Sequence, residues 1–173
     1  MSEFNQCANL VDSEALQKAQ ALYHNLLRAG KDPQQYLLNL QNSLQERVAK
    51  EHGRVQAPKE IKTKGELYDF VHDQKVAIDD EWREMVEAMA GMSLPEKDRS
   101  ALWKKWKGKY TDIRSESIAS LSDEDRIELE MEIIDISHFF NNVLLAMNID
   151  AEKHFVYYAL KNMENINRQN RGY

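Results

Sequence analysis

An all-α fold, a bundle of about five or six helices, is predicted by three observations. Apolar residues recur every three or four positions through most of the chain. Alternation with a period of two is nowhere sustained. Gly and Pro, 6 and 3 of 173 residues, are too scarce for the many tight turns of an all-β fold.

The elements follow from the breaks between them. Gly30 closes a first segment, and Asp32–Pro33 opens the next, because Asp caps a helix and Pro suits its first turn. The second segment carries Leu37, Leu40, Leu44 and Val48 at helical spacing and ends at the break from His52–Gly53 through Pro58. A third carries Leu67, Phe70, Val71, Ile78, Trp82, Met85 and Met89, and stops between Gly91 and Pro95. After Ser120–Leu121–Ser122–Asp123 comes a segment with Leu129, Ile133, Ile136, Phe139, Phe140, Val143 and Met147. Asn148–Ile149–Asp150 separates it from a last helix. With no internal repeat, low-complexity stretch or Gly/Ser linker, residues 1–173 read as a single domain.

Composition narrows the function. The 23 basic and 29 acidic side chains leave a formal net charge of −6, which argues against direct nucleic-acid binding, since that relies on Lys and Arg neutralising phosphates. One cysteine, Cys7, can form neither an intrachain disulfide nor a Cys-rich zinc site, which fits a reducing cytoplasm. No apolar run approaches the ~18 residues of a spanning helix, and the start lacks the regions of a signal peptide.

The charge is patterned. Residues 79–87 hold five acids against Arg83, residues 97–109 six bases against Asp98, and residues 123–135 seven acids against Arg126. Lys161, Arg168 and Arg171 follow in the tail. Solvated helix faces would explain this pattern, but helical geometry offers more. Ile78, Trp82, Met85 and Met89 form the expected core stripe, with Ala77, Glu81, Glu84 and Ala88 beside it. Glu81 and Glu84 lie three apart, roughly 5–6 Å between Cβ atoms.

On the second acidic helix Glu132 falls inside an apolar arc centred on Ile136, with Asp135 at its shoulder. A core-facing carboxylate without a partner costs several kcal/mol or becomes neutral; an ion pair with Arg or Lys from another helix is the alternative. If the two helices pack antiparallel, Glu81, Glu84, Glu132 and Asp135 converge. Two charges ~6 Å apart repel by about 3 kcal/mol at an effective dielectric of ~20, so four would need cations. An all-oxygen donor set favours Mg²⁺ or Mn²⁺ over zinc. His138 points about 160° from the arc centre and reads as structural or as a group behind the ligands. A basic loop and tail beside such a site suggest a polyphosphate substrate. Lys161, Asn165 and Arg168, spaced i, i+4, i+7, share one face and suit phosphate oxygens, or a solvated C-terminal turn offsetting the helix dipole.

Four ordered motifs carry a resemblance over essentially the whole chain. They are Leu40–Gln41 to Gln45, Asp80–Glu81–Trp82–Arg83–Glu84, Glu132–Ile133–Ile134–Asp135 followed by His138–Phe139, and the tail Lys161 to Tyr173. The loop Trp103–Lys104–Lys105–Trp106–Lys107 and the opening Phe4–Asn5–Gln6–Cys7–Ala8 add to it. Together they resemble the all-α nucleoside triphosphate pyrophosphatases, specifically the dimeric dUTPases, and within these the dCTPase-dUTPases of T-even-type bacteriophages.

The resemblance implies Mg²⁺-dependent hydrolysis of dCTP and dUTP to the monophosphate and pyrophosphate, with two or more ions per site and Mn²⁺ as a substitute. By resemblance Glu81, Glu84, Glu132 and Asp135 hold the metal, and Glu81 is the catalytic carboxylate that deprotonates the attacking water. Lys161, Asn165 and Arg168 bind the phosphates. Gln41 and Gln45 read the base, and Trp103, Trp106 and Phe140 stack on the base or pack beneath the sugar, core packing being the alternative for these aromatics. The family helix has Asn where Gln45 stands, which departs from the uracil-specific pattern; an amide offers a donor and an acceptor and can serve either base. A homodimer in the host cytoplasm is implied, with a place in a phage nucleotide-synthesis complex. A dUTP-restricted hydrolase, or a non-catalytic interaction protein on the same scaffold, are the rivals.

Overall fold

Helix-capping chemistry places the elements of the structure, a computed structural model that describes residues 10–53 and 55–172. The opening Phe4–Ala8, Cys7 within it, and Tyr173 lie outside the described residues. Seven α-helices and no strand are found among the described residues: α1 (Ser13–Arg28), α2 (Pro33–Glu51), α3 (Lys64–Ala90), α4 (Glu96–Arg99), α5 (Tyr110–Ser115), α6 (Asp123–Ala146) and α7 (Ala151–Asn170). Five are long and two are short, and each break read from the sequence falls between helices.

Gly30, at φ +66°, ends α1 in the left-handed conformation that glycine tolerates best. Asp32 then accepts hydrogen bonds from Gln34 N (2.8 Å) and Gln35 N (3.4 Å) to start α2 behind Pro33. A reciprocal box opens α3, Glu66 N donating to Thr63 Oγ1 (3.1 Å) and Thr63 N to Glu66 Oε2 (2.9 Å). Lys62 N, which also donates to Glu66 Oε2 (2.7 Å), and Thr63 N hold the Glu66 carboxyl below its usual range. Ser122 Oγ accepts from Asp125 N (3.0 Å) at α6, and Asp150 Oδ1 from Lys153 N (2.8 Å) at α7.

The chain divides into two compact units. One takes in His72–Phe140 and the described residues up to Ala21; the other takes in Leu22–Val71 and the described residues from Asn141 onward. In the first, Ala90, Ala101 and Ile113 form a small core with Leu94 and Leu102 against it. Buried Asp125 accepts from Met92 N (2.7 Å), and Arg99 donates to the carbonyls of Leu94 (2.9 Å) and Met92 (2.8 Å). These bonds secure the Gly91–Pro95 turn, where Gly91 has φ +99°. In the second unit Leu38, Leu144 and Ala151 form the core, with Leu145 and Ile149. Gln35 of α2 caps α7 by accepting from Ala151 N (3.1 Å).

The packed faces depart in part from the ones that apolar periodicity predicts. On α2 the buried residues are Leu38, Gln41 and Gln45, whereas Leu37, Leu40 and Leu44 are exposed. On α3 Trp82 (59% exposed) and Met89 face outward, and Gln74, Met85 and Ala88 are buried. On α6 Ile133 and Phe140 are exposed, while Asp125, Glu128 and Asn142 are buried. On α2 the inward stripe sits about one residue, or 100°, from the expected one, whereas Phe70 and Met85 of the expected α3 stripe are buried and Glu132 and Asp135 of α6 are partly buried, as expected. Polar groups share the interior with Leu38, Phe70, Met85 and Leu144, while several bulky apolar side chains such as Trp82 and Phe140 face outward. Among the described residues no helix is long and apolar enough to cross a membrane.

Candidate metal and nucleotide site

The inward stripe of α3 carries Glu81, and that of α6 carries Glu132 and Asp135. All three side chains are partly buried. Each offers one oxygen to a group lying within 4.8 Å of one another. Helical spacing fixes the arrangement: Glu132 and Asp135 are three apart on one face, and Glu81 is held between Gln74 and Ala88 on the packed side of α3. Glu84, three residues on, is exposed but close enough for its charge to act on both Glu81 and Glu132.

The electrostatics of the group are adverse without a cation. Burial, then the charge of Glu84, then the hydrogen bond and charge of Glu81, and finally Asp135 push the Glu132 carboxyl up from its usual 4.5 to about 8. Burial also raises Glu81, with the charges of Glu84, Asp135 and Asp80 adding to the rise and the hydrogen bond to Glu132 opposing it. Glu132 is thus the acid that keeps its proton and donates toward Glu81. Its Oε2 is buried without a hydrogen-bond partner.

The base nearest in sequence, Arg83, is paired with Asp80 instead. Among the described residues no ion pair reaches Glu132, so the alternative of an Arg or Lys partner is not realised. Converging carboxylate oxygens, one of them orphaned, with no sulfur or imidazole in the set, fit a hard divalent cation.

The remaining predicted residues fall in separate groups. Gln41 and Gln45 meet through Asn142: Gln41 Nε2 donates to Asn142 Oδ1 (2.8 Å), and Asn142 Nδ2 donates to Gln45 Oε1 (3.3 Å). Asn142 is the functional candidate that sequence reasoning left without a role. The signal lay in its register, since 128, 132, 135, 139 and 142 continue one stripe of α6.

Lys161, Asn165 and Arg168 are exposed along α7. Arg168 Nε donates to Glu164 (3.2 Å), as does Arg171 Nη2 (2.8 Å). Glu164, Arg168, Arg171 and Gly172 line a shallow pocket of about 550 Å³. Trp103 and Trp106 are exposed (46% and 77%), Lys104 Nζ lying 4.6 Å from the Trp103 ring centroid, and Phe140 is half exposed. These aromatics are therefore not core residues.

All-helical among the described residues, with E-x-x-E and E-x-x-D pairs on two long helices, the chain fits the fold of the all-α nucleoside triphosphate pyrophosphatases. No family model matches the chain, and no solved structure matches it. Curated relatives do. The chain is 39% identical to the dCTP pyrophosphatase of Enterobacteria phage T4 over 173 residues, all of both chains, and 40% identical to that of Enterobacteria phage LZ5 over 174 residues, again all of both. A DNA replication protein of phage T4 is 38% identical over 167 residues, which span 96% of this chain and 42% of that one. The chain belongs to the phage dCTP pyrophosphatase family.

Proposed function

We propose that this protein hydrolyses dCTP and dUTP to dCMP or dUMP and pyrophosphate, with Mg²⁺ as cofactor and Mn²⁺ as a substitute. The observation that carries this reading is the carboxylate cluster itself. Glu81, Glu132 and Asp135 converge, and Glu132 keeps an orphaned buried oxygen and a proton that a divalent cation would displace. The full-length likeness to two dCTP pyrophosphatases supports the substrate.

Glu132, Asp135 and Glu84 would hold the metal together with Glu81. Bound Mg²⁺ supplies neutralisation of the triphosphate and acidification of a water. Glu81 orients the attacking water toward the α-phosphorus and takes its proton. Lys161, Asn165 and Arg168 bind phosphate oxygens and stabilise charge on the pyrophosphate that leaves. For Arg168 this means exchanging Glu164 for phosphate. Gln41 and Gln45 read the base edge, and exposed Trp103, Trp106 and Phe140 offer ring faces for stacking on the base or sugar.

The whole chain, 1–173, acts as one catalytic domain and assembles as a homodimer in the host cytoplasm. Exposed Leu37, Leu40 and Leu44 on one face of α2, and Phe155, Tyr158 and Met163 on α7, support that assembly. The likeness to part of a larger DNA replication protein supports a place beside nucleotide synthesis and replication.

The test is pyrophosphate release from dCTP and dUTP with Mg²⁺, comparing the wild type with Glu81→Gln. Release should fall by at least about a hundredfold, while far-ultraviolet circular dichroism keeps its helical signal. Activity that survives in the variant sinks the assignment of the site.

A further inference from the structure

Three primary amides lie at the heart of the second unit: Gln41 (4% exposed), Gln45 (7%) and Asn142 (3%). Their burial is not a packing default. Leu40 and Leu44 stand one position from Gln41 and Gln45 and could have filled the same space without any polar cost, yet they are turned outward. A buried amide is tolerated when its hydrogen bonds are made within the fold, and here two such bonds join the three, Gln41 and Asn142 having further interactions besides.

The bonds run head to tail. Gln41 donates to Asn142, and Asn142 donates to Gln45. Because each amide has a donor end and an acceptor end, this order has a direction. Turning Asn142 alone would set its NH₂ against the NH₂ of Gln41 and its oxygen against the oxygen of Gln45. Both contacts are restored only when all three amides turn. The chain therefore has two coherent polarities. In the one observed, Gln45 spends its oxygen on Asn142 and keeps Nε2, a donor, for a ligand; in the other it would keep Oε1, an acceptor.

Cytosine and uracil differ by the same reversal. Cytosine has a ring acceptor beside an amino donor, and uracil a ring N–H donor beside a carbonyl acceptor. We propose that Asn142 is a positioning residue that couples the Gln41 and Gln45 amides, so that they reverse together and the protein accepts cytosine in one polarity and uracil in the other. This rests on the reading of Gln41 and Gln45 as base-contacting residues in the proposed function. It goes beyond that reading by assigning the choice of base to a residue that acts through the other two.

The experiment compares kcat/KM for dCTP and dUTP in the wild type, Asn142→Asp, Gln41→Ala and Gln45→Ala. The ionised carboxylate that Asn142→Asp introduces only accepts, so both glutamines must donate to it. The coherent chain is lost and Gln45 is locked with its oxygen outward. The dCTP:dUTP ratio of kcat/KM should then change by tenfold or more, one base losing far more than the other, with KM bearing the change. A uniform fall for both bases would make Asn142 merely structural and overturn the proposal.

The alanine variants separate the two levels. If they leave KM for both nucleotides unaltered, the base-reading assignment fails. If they raise KM while Asn142→Asp keeps the wild-type ratio, only the coupling fails. Should Asn142→Asp not fold, the wild type is titrated with dCMP and with dUMP while the side-chain NH₂ resonances of Asn142 are followed by NMR. Shifts that differ between the two nucleotides are expected, and identical shifts overturn the coupling.

Discussion

The carboxylates Glu81, Glu132 and Asp135 and the amides Gln41, Gln45 and Asn142 are two solutions to placing polar groups inside a helical protein, and they are opposite in kind. The carboxylates repel, and one of them holds a proton against its nature and leaves an oxygen without a partner. The amides bond to one another in a directed chain. The first group is incomplete without something positive; the second already joins its members by hydrogen bonds, which can be rearranged. A cluster that is unstable alone is suited to binding and chemistry, whereas a cluster stable in two orders is suited to choosing between ligands.

Removing one member should therefore move stability in opposite directions. Glu132→Gln removes a carboxyl that must take up a proton when the metal-free protein folds near neutral pH, and its amide can still donate to Glu81. Its metal-free Tm should rise by about 2–4 °C, the shift that ~1 kcal/mol produces in a chain of this size. Mg²⁺-dependent hydrolysis should fall by at least about a hundredfold. Calorimetry with chelator, run beside the pyrophosphate assay, checks both. A variant less stable than the wild type would mean that Glu132 is already satisfied, and the contrast between the clusters would break.

Metal should move the wild type next most strongly. At a hundredfold over its dissociation constant a ligand adds about 2.7 kcal/mol, so Mg²⁺ should raise Tm by roughly 5–10 °C. The sign of the pH dependence should also invert. In the metal-free protein Glu132 titrates near 8 when folded and near 4.5 when unfolded, so the folded state binds more protons between those values. That contribution is fully present below about 4.5 and is lost as pH rises through about 8. With metal the proton must leave first, so affinity should climb toward about pH 8 and level off above it. Melting curves from about pH 5 to 9, with chelator and with Mg²⁺, should converge at the acid end and separate at the alkaline end.

Much of this was legible in the residues. The caps at Asp32 and Asp150 and the turns at Gly30 and Gly91 mark helix ends through local chemistry alone, and the three-residue spacings of Glu81–Glu84 and Glu132–Asp135 survive folding because a helix preserves them. What could not be read was which face of α2 turns inward, and that Trp82 and Met89 of α3 would face out. Leu37, Leu40 and Leu44, or Trp82 and Met89, look like core under any rule that buries apolar side chains. On α2 the interior was given to Leu38, Gln41 and Gln45, and Leu37, Leu40 and Leu44 were left to face outward. Periodicity reports a stripe but not its partner, and where the interior is reserved for polar work the two separate.

The smallest effect tests whether discrimination belongs to the amide chain or to the general firmness of α2. Asp32 caps α2 far from Gln41 and Gln45 in the helix, accepting from Gln34 N and Gln35 N. Asp32→Ala should cost about 1 kcal/mol and lower Tm by about 2–4 °C. It loosens the first turn without touching any amide of the chain, so the dCTP:dUTP ratio of kcat/KM should stay within twofold of the wild type. If the cap variant shifts that ratio as far as Asn142→Asp does, base choice follows from how tightly α2 is held. The directed bonds would then be a way of satisfying buried amides and nothing more. If only Asn142→Asp shifts it, the order of donors and acceptors sets the choice, and the stability of the helix that carries them does not.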